Sequence, residues 1–259
     1  MEYETIITKK DKNILTVFLN RPKVHNAMNE KLMNELTSCF KEISSNEDIR
    51  TVILTGQGKS FCAGADLNWM KSMVNYSMDE NIKDSQLLLD LYESIYSCPK
   101  PVIAKVNGHA FGGGLGLFAV CDIVYAQKGC KFAFSEVNLG IIPAVISSYI
   151  VKRIGISNMR RLFITGELFD SKYASKIGLV DFVEDEKDID EKIKKYCDIL
   201  QKSGPNAIKQ IKKLADSYEK MNLHEYKEFT VKEISRLRVS KEGQEGINAF
   251  LEKRKSKWS

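Results

Sequence analysis

The sequence lacks a long uninterrupted apolar segment. Its apolar runs are soon broken by Lys, Asp or Ser, whereas a membrane-spanning helix needs roughly 18 or more apolar residues in succession. The six cysteines include no C-x-x-C pair, and the three histidines, His25, His109 and His224, lie apart from one another. The sequence therefore predicts no membrane span and no zinc or other metal site. The acidic start, Met1 to Thr5, is also unlike a signal peptide.

The remaining composition is that of an ordinary globular protein. Of 259 residues, 43% are apolar and 28% are charged, which excludes disorder as a description of the whole chain. The 39 basic and 34 acidic residues leave a net charge of +5, which suits a small polyanionic ligand and nucleic acid equally. Cys39, Cys62 and Cys121 lie in apolar patterns typical of buried thiols, so we expect a reducing, cytoplasmic location.

The first part of the chain alternates strand and helix patterns. Asn29 is a candidate N-cap for a helix with apolar residues at helical spacing, and Ser77 and Glu80 have the spacing of a capping box. A further short helix is expected over 115–120. Strands are predicted at 14–19, 51–54, 102–106, 123–126 and 131–134. Strands separated by helices at this spacing favour an α/β fold with βαβ crossovers.

The pattern changes beyond residue 185. A helix after Pro205 and the stretches 221–237 and 240–255 predict amphipathic helices with little strand content. Their apolar stripes need another surface, which either the core or a second copy of the chain supplies. We therefore divide the chain into a core, 1–195, and a helical region, 196–259.

Two glycine-containing segments are candidates for binding an anionic oxygen. Ala63, Gly64 and Ala65 precede Asp66, which looks like a helix start, and three consecutive glycines, 112–114, open another helix. Free amides at such positions can form an oxyanion hole. An ordinary loop and tight helix packing remain the alternatives for the two segments. Neither segment has the spacing of a dinucleotide fingerprint or a P-loop.

Glu136 is a lone carboxylate in an otherwise apolar passage that ends at Pro143. Burial would raise its pKa and make it a usable group for proton transfer. A glutamate on an exposed loop is the alternative.

Taken in order, these segments resemble the enoyl-CoA hydratase/isomerase (crotonase) superfamily. The resemblance covers nearly the whole chain, and the ordered set is specific although each motif alone is weak. The matching segments are Leu19-Asn-Arg-Pro22, Asn26-Ala27, Phe61-Cys-Ala-Gly-Ala-Asp66, Lys100-Pro-Val-Ile-Ala104, Asn107-Gly108, Gly112-Gly-Gly114, Cys121-Asp122, Ser135-Glu136 and Phe250-Leu-Glu-Lys-Arg254.

The resemblance implies a spiral of ββα units followed by a helical C-terminal trimerisation region. It implies an acyl-CoA thioester substrate, no cofactor apart from the coenzyme A of the substrate, and assembly as a homotrimer or a dimer of trimers. The implied catalytic groups are Glu136 and the oxyanion-hole amides of Ala65 and Gly113. The implied CoA-binding residues are Lys23, Val24, His25, Ala63, Asp66 and Leu67, with Phe250 and Lys253 supplied by a neighbouring subunit.

One position departs from the family pattern. The best-known hydratases of the superfamily carry a glutamate two residues after the triple glycine, where this chain has Gly116. Members that keep only the second glutamate include Δ3,Δ2-enoyl-CoA isomerases. However, segments such as Phe111-Gly-Gly-Gly-Leu-Gly-Leu117 and Phe134-Ser-Glu-Val137 look most like the methylglutaconyl-CoA and isohexenylglutaconyl-CoA hydratase branch, and on that ground we favour a hydratase.

A third functional class is a non-catalytic CoA or RNA binder that kept the fold. The basic cluster at 253–257 could contact RNA, but a solvated helix end is the better interpretation, and nucleic acid is not an expected partner. Trp69, Met70 and Met73 line either an acyl pocket or a helix face packed on the core. His109 is expected to be a hydrogen-bonded loop residue without a catalytic role.

Overall fold

The computed structural model describes residues 3–258. The chain forms two compact units, one ending at Ile193 and the other beginning at Lys194. None of the helices in the described range is long and apolar enough to cross a membrane.

The strands of the first unit are β1 (Ile6–Asp11), β2 (Ile14–Leu19), β3 (Thr51–Gly56), β4 (Ser60–Cys62), β5 (Val102–Val106), β6 (His109–Phe111), β7 (Ile123–Gln127), β8 (Lys131–Ala133), β9 (Phe169–Asp170) and β10 (Phe182–Glu184). Its helices are α1 (Glu30–Ser45), α2 (Leu67–Met73), α3 (Met78–Tyr96), α4 (Gly113–Ala119), α5 (Ala144–Thr165) and α6 (Ser171–Lys176), with 3-10 helices at Pro22–Val24 and Ser135–Leu139. Helix α7 (Ile189–Gln201) leads into the second unit, which contains α8 (Pro205–Lys220), α9 (Leu223–Val239) and α10 (Lys241–Leu251).

Successive strand pairs are divided between two sheets. The larger sheet has the order β1-β2-β3-β5-β7-β10, and the smaller has the order β4-β6-β8-β9. In the pairs β3/β4, β5/β6 and β7/β8 the first strand joins the larger sheet, the second joins the smaller, and a helix follows. This repeated ββα connection confirms the predicted α/β class and the expected spiral of ββα units.

The local signals read from the sequence form as predicted. The Asn29 side chain accepts a hydrogen bond from the Leu32 amide at 3.0 Å and caps α1. The Ser77–Glu80 capping box starts α3 with both reciprocal hydrogen bonds. Such caps satisfy amide groups that the first turn of a helix leaves without partners.

The core of the first unit is apolar and rich in aromatic side chains. Phe61, Phe118 and Phe132 are fully buried and meet edge-to-face or tilted, with centroid separations of 5.9 and 5.5 Å. Burial of each such side chain contributes roughly 1.5–3 kcal/mol. All six cysteines are buried and no disulfide joins them. Burial raises the pKa of the Cys62 thiol to about 12, so this group is an unreactive part of the core.

The second unit is helical, as its sequence pattern predicts. Many of its apolar side chains face solvent, among them Val239, Phe250 and Leu251, which are 77%, 83% and 70% exposed. Arg254 binds the Glu245 carboxylate through two nitrogens, at 2.7 and 3.1 Å, and ties the end of the chain to α10. The expectation that this region mediates trimer formation stays a prediction.

Candidate active site

The two candidate oxyanion segments lie side by side because the strands that precede them are paired. Strands β4 and β6 run parallel, with Cys62 opposite Ala110. Ala65 and Gly113 each lie three residues beyond this pair, so both loops leave the same edge of the smaller sheet. Their backbones approach so closely that a β-carbon on Gly64 would lie 2.8 Å from the Phe111 carbonyl oxygen.

Within residues 3–258, the amides of Ala65 and Gly113 have no hydrogen-bond partner. No hydrogen bond in the described part of the chain is donated by either N–H, although both neighbouring backbones are anchored. On either side of Ala65, the Met28 amide donates to the Gly64 carbonyl at 2.7 Å and the Asp66 amide donates to the Met28 carbonyl at 2.8 Å. The Gly112 amide donates to the Ala133 carbonyl at 2.9 Å. Gly113 is the first residue of α4, where an amide has no acceptor in its own helix. Both donors are therefore available to a ligand.

The Glu136 carboxylate lies against the same glycine turn. It belongs to the 3-10 helix that follows β8, the next parallel strand of the smaller sheet. A β-carbon on Gly112 would lie 2.9 Å from its Oε1 atom, and Gly112 has a φ of +50°, which only glycine adopts readily. The Oε2 atom is buried and has no hydrogen-bond partner among the residues that the structure describes.

Burial raises the pKa of the Glu136 carboxyl above its ordinary value, and a hydrogen bond from its own amide offsets this only in part. A carboxylate of this kind takes up and releases a proton closer to neutral pH than an exposed one does.

The surface predicted to bind CoA is formed by two segments that a backbone hydrogen bond joins. The Ala63 amide donates to the His25 carbonyl at 3.0 Å, and this brings Lys23, Val24 and His25 beside the segment that begins at Ala63. Val24 and Leu67 are 42% and 75% exposed. The structure therefore brings these predicted contact residues together on an accessible surface; their contact with CoA stays a prediction.

Asp66 supports this surface through its side chain. The carboxylate is buried, accepts hydrogen bonds from the Asn68 and Trp69 amides at the start of α2, and forms an ion pair with Arg21 at 2.8 Å. Burial alone would raise the pKa of Asp66, but the bonds from Arg21 and the amides outweigh it and lower the pKa. The Asp66 side chain is thus held by the protein itself.

Two of the residues with open interpretations have structural partners. The Trp69 indole packs against the core and donates to Asp84 at 2.8 Å. The Nδ1 atom of His109 accepts a hydrogen bond from the Lys131 amide at 3.0 Å, as expected for a histidine without a catalytic role.

Residues 9–259 match the model of the enoyl-CoA hydratase/isomerase family. The chain belongs to this family. The crotonase resemblance seen in the sequence is therefore confirmed at the level of the superfamily, and the protein is an enzyme of the enoyl-CoA hydratase/isomerase family.

The similarity to relatives within the family covers almost the full chain. The crotonyl-CoA hydratase of Syntrophomonas wolfei is 31% identical over 258 residues, covering 99% of this chain and 98% of its own. The short-chain-enoyl-CoA hydratase of Clostridium acetobutylicum is 31% identical and covers 98% and 97%. The crystal structure of an enoyl-CoA hydratase from Shewanella pealeana has a TM-score of 0.96, with 34% identity and coverage of 99% and 97%.

Tyr92, which no sequence pattern singled out, packs against Gly116, the position that departs from the family pattern. A β-carbon on Gly116 would lie 2.5 Å from Cγ2 of Ile146 and 2.7 Å from Cζ of Tyr92. Ile146 and Tyr92 therefore fill the space that a side chain at position 116 would need. Gly116 is a buried residue within α4. No motif surrounds Tyr92 in the sequence, so only its contacts identify it.

Phe250 and Lys253, the other predicted CoA contacts of the family, lie in the second unit. Phe250 is 83% exposed at the end of α10, and Lys253 follows with a left-handed φ of +54°. Their contribution to the site of a neighbouring subunit stays a prediction.

Proposed function

We propose that this family member adds water to the double bond of an α,β-unsaturated acyl-CoA. The observation that carries the proposal is the Glu136 carboxylate lying against the glycine turn that carries the Gly113 amide, one of two neighbouring amides without a partner among the described residues. The names of the relatives, crotonyl-CoA hydratase and short-chain-enoyl-CoA hydratase, support the same reaction class.

In the proposed mechanism, the thioester oxygen accepts hydrogen bonds from the Ala65 and Gly113 amides. When the oxygen of a water molecule bonds to Cβ, the electron pair of the double bond moves toward the thioester. The carbonyl oxygen of the thioester then becomes an enolate oxygen. Two fixed donors stabilise this charge, and each well-placed donor is worth on the order of 2.7–4 kcal/mol in such a site.

Glu136 supplies both proton transfers. Its carboxylate accepts a proton from the attacking water, and the resulting carboxylic acid returns a proton to Cα as the enolate collapses. The net change is addition of H and OH across the double bond, and Glu136 ends ionised as it began. The raised pKa brings the acid and base forms closer in energy at neutral pH, which both steps require.

The second candidate is a Δ3,Δ2-enoyl-CoA isomerase. The observation that favours it is the packing of Tyr92 and Ile146 against Gly116, which leaves Glu136 without the second carboxylate of the best-known hydratases. In this reaction Glu136 removes a proton from C2 and delivers it to C4, while the same two amides hold the dienolate oxygen.

The finer proposal is a branched, methylglutaconyl-CoA-like substrate. It rests on the segments around the triple glycine and Glu136 and on Gly64-Ala-Asp-Leu-Asn-Trp-Met70, all of which resemble that hydratase branch. We further propose that the protein needs no separate cofactor, since coenzyme A arrives with the substrate, and that it acts as a homotrimer or a dimer of trimers.

Isotopic labelling separates the two reactions. A panel of enoyl-CoA thioesters that includes branched dicarboxylic acyl chains is incubated in water enriched in both ¹⁸O and deuterium. Incorporation of ¹⁸O into the acyl product is the result expected for a hydratase. Deuterium exchange with a shifted double bond and no ¹⁸O would identify an isomerase, and the absence of both with every thioester would favour a non-catalytic CoA binder.

A further inference from the structure

We propose that Tyr92 is a positioning residue that holds the Gly113 amide in the orientation an enolate oxygen requires. The inference rests on the proposed function, because it assumes that this amide is an oxyanion donor. It assigns a role to a side chain on α3 that belongs to none of the sequence motifs of the site.

The turn that carries this amide has little stiffness of its own. Residues 112–114 are all glycine, so no β-carbon restricts their dihedral angles, and Gly112 adopts a φ of +50° and a ψ of −128°. An oxyanion donor must be fixed before the reaction to be effective, since the benefit of such a donor comes from its preorganised orientation. The surrounding structure must therefore supply the restraint.

Hydrogen bonds on both sides of the donor supply it. The Gly112 amide is held by the Ala133 carbonyl at 2.9 Å, and the Tyr92 hydroxyl donates to the Gly113 carbonyl at 2.7 Å. The first bond fixes the backbone before the Gly113 N–H, and the second fixes it immediately after. The Leu115 amide also donates to the Gly112 carbonyl at 3.0 Å, within the start of α4, and the Tyr92 hydroxyl adds a side-chain restraint from a different helix.

The Tyr92 side chain is itself held rigidly. It is fully buried, its ring contacts Gly116 on one side, and it meets the Tyr149 ring edge-to-face at 6.3 Å. Burial raises the pKa of Tyr92 well above its ordinary value, so the hydroxyl keeps its proton and acts only as a neutral hydrogen-bonding group. A buried tyrosine hydroxyl generally has such a partner, and here the partner is the oxyanion turn.

The test is Tyr92→Phe, which removes the hydroxyl and keeps the ring that fills the space beside Gly116. We expect kcat to fall about fivefold to tenfold, the effect of one hydrogen bond on a barrier, with KM changed by less than about twofold. In parallel, the infrared carbonyl stretch of bound butyryl-CoA, a saturated thioester, reports polarisation by the oxyanion donors. In the variant it should move from the lowered value of the wild-type complex toward that of free butyryl-CoA.

Tyr149→Phe is the matched control. It also removes a tyrosine hydroxyl, one that donates to Glu93 at 2.9 Å, from a ring that contacts Tyr92. It leaves the oxyanion turn untouched, so both kcat and the carbonyl stretch should match the wild type. Equal effects of the two variants would overturn the inference, because general loosening of the core would then explain both.

Failure of the inference and failure of the proposed function give different results. If the wild type hydrates enoyl-CoA and Tyr92→Phe changes neither kcat nor the carbonyl stretch, the role of Tyr92 is refuted and the function stands. If the wild type turns over no thioester but lowers the stretch, and Tyr92→Phe reverses this, the role of Tyr92 stands without the reaction. If the wild type does not lower the stretch of bound butyryl-CoA, the oxyanion hole and the role of Tyr92 are both refuted.

Discussion

The Oε1 atom of Glu136 lies 2.9 Å from the position that a β-carbon on Gly112 would occupy. Glycine is therefore required at 112 for two reasons, the left-handed φ of +50° and the space taken by the carboxylate. The same contact places the proposed proton-transfer group one residue away from the proposed oxyanion donor, Gly113.

Glu136→Gln should reduce kcat at least tenfold while the affinity for a saturated acyl-CoA stays within about twofold of wild type. The amide keeps the shape of the side chain but cannot accept the proton from water. Steady-state kinetics and calorimetric titration with butyryl-CoA measure the two effects. Glu93→Gln, at an exposed position of α3, is the control and should leave kcat unchanged. Retention of more than about a tenth of wild-type kcat would refute the assignment of Glu136.

The pH dependence of kcat/KM should follow the ionisation of Glu136. Because burial raises its pKa, kcat/KM should begin to fall at a pH above the ordinary glutamate value as the solution is acidified. A profile measured from pH 4 to pH 9 with a short-chain enoyl-CoA gives the apparent pKa. An acid limb at or below the ordinary value would contradict the raised pKa.

The same pKa shift predicts a stability difference. Burial raises the pKa of the Glu136 carboxyl in the folded state, so its ionised form destabilises the folded protein. This destabilisation is fully present above the folded-state pKa and disappears as the pH falls below the pKa of the unfolded state. Glu136→Gln should therefore be more stable than wild type at pH 7, and the difference should narrow on acidification toward pH 4. Urea unfolding at both pH values measures it, and a variant less stable at pH 7 would contradict the prediction.

Gly116→Ala should lower the free energy of unfolding by about 1–3 kcal/mol, because the added methyl group meets Ile146 and Tyr92 in a packed interior. Gly116→Glu should cost more and should gain no hydratase activity. Ile146→Ala in the same chain removes the nearest contact and should reduce the cost of Gly116→Ala in a double-mutant cycle. If the Gly116→Glu variant catalyses the addition of water and the wild type only moves the double bond, the hydratase proposal is refuted and the wild-type protein is an isomerase.

Asp66→Asn should lower the free energy of unfolding by about 1–3 kcal/mol, since it keeps a side-chain cap for α2 but leaves Arg21 without its charged partner. The pKa of Asp66 is lowered in the folded state, so its contribution is present at neutral pH and is lost as the pH falls through that lowered value. The destabilisation should therefore be smaller in acid. Asp79→Asn, at an exposed position in the first turn of α3, is the control.

The chain should form a trimer or a dimer of trimers at micromolar concentration. The exposed apolar side chains of the second unit need a partner surface, and a closed symmetric assembly supplies one. Phe250→Glu should weaken the assembly and raise KM for acyl-CoA, whereas Lys255→Glu, at an exposed polar position nearby, should do less. Light scattering measures the mass, and a wild-type monomer would refute both the assembly and the proposed role of Phe250.

Several elements follow from the sequence because their causes are local. The strand 14–19 and the strand 102–106 form over the predicted residues, since alternation and β-branched composition act within a few residues. The Asn29 cap and the Ser77–Glu80 capping box also form as predicted. Likewise, the order of motifs along the chain suffices to identify the family.

The smaller sheet and the contacts it creates are decided by the tertiary structure. Strands β4 and β6 have three residues each, too few for a periodic pattern, so their segments read as loops in the sequence. Their pairing brings Ala65 beside Gly113, although 48 positions separate the two in the chain. Tyr92 reaches Gly113 and Gly116 from a different helix. Sequence patterns record the local preferences of the backbone, whereas these contacts depend on how distant segments pack, and packing is what fixes the geometry of the site.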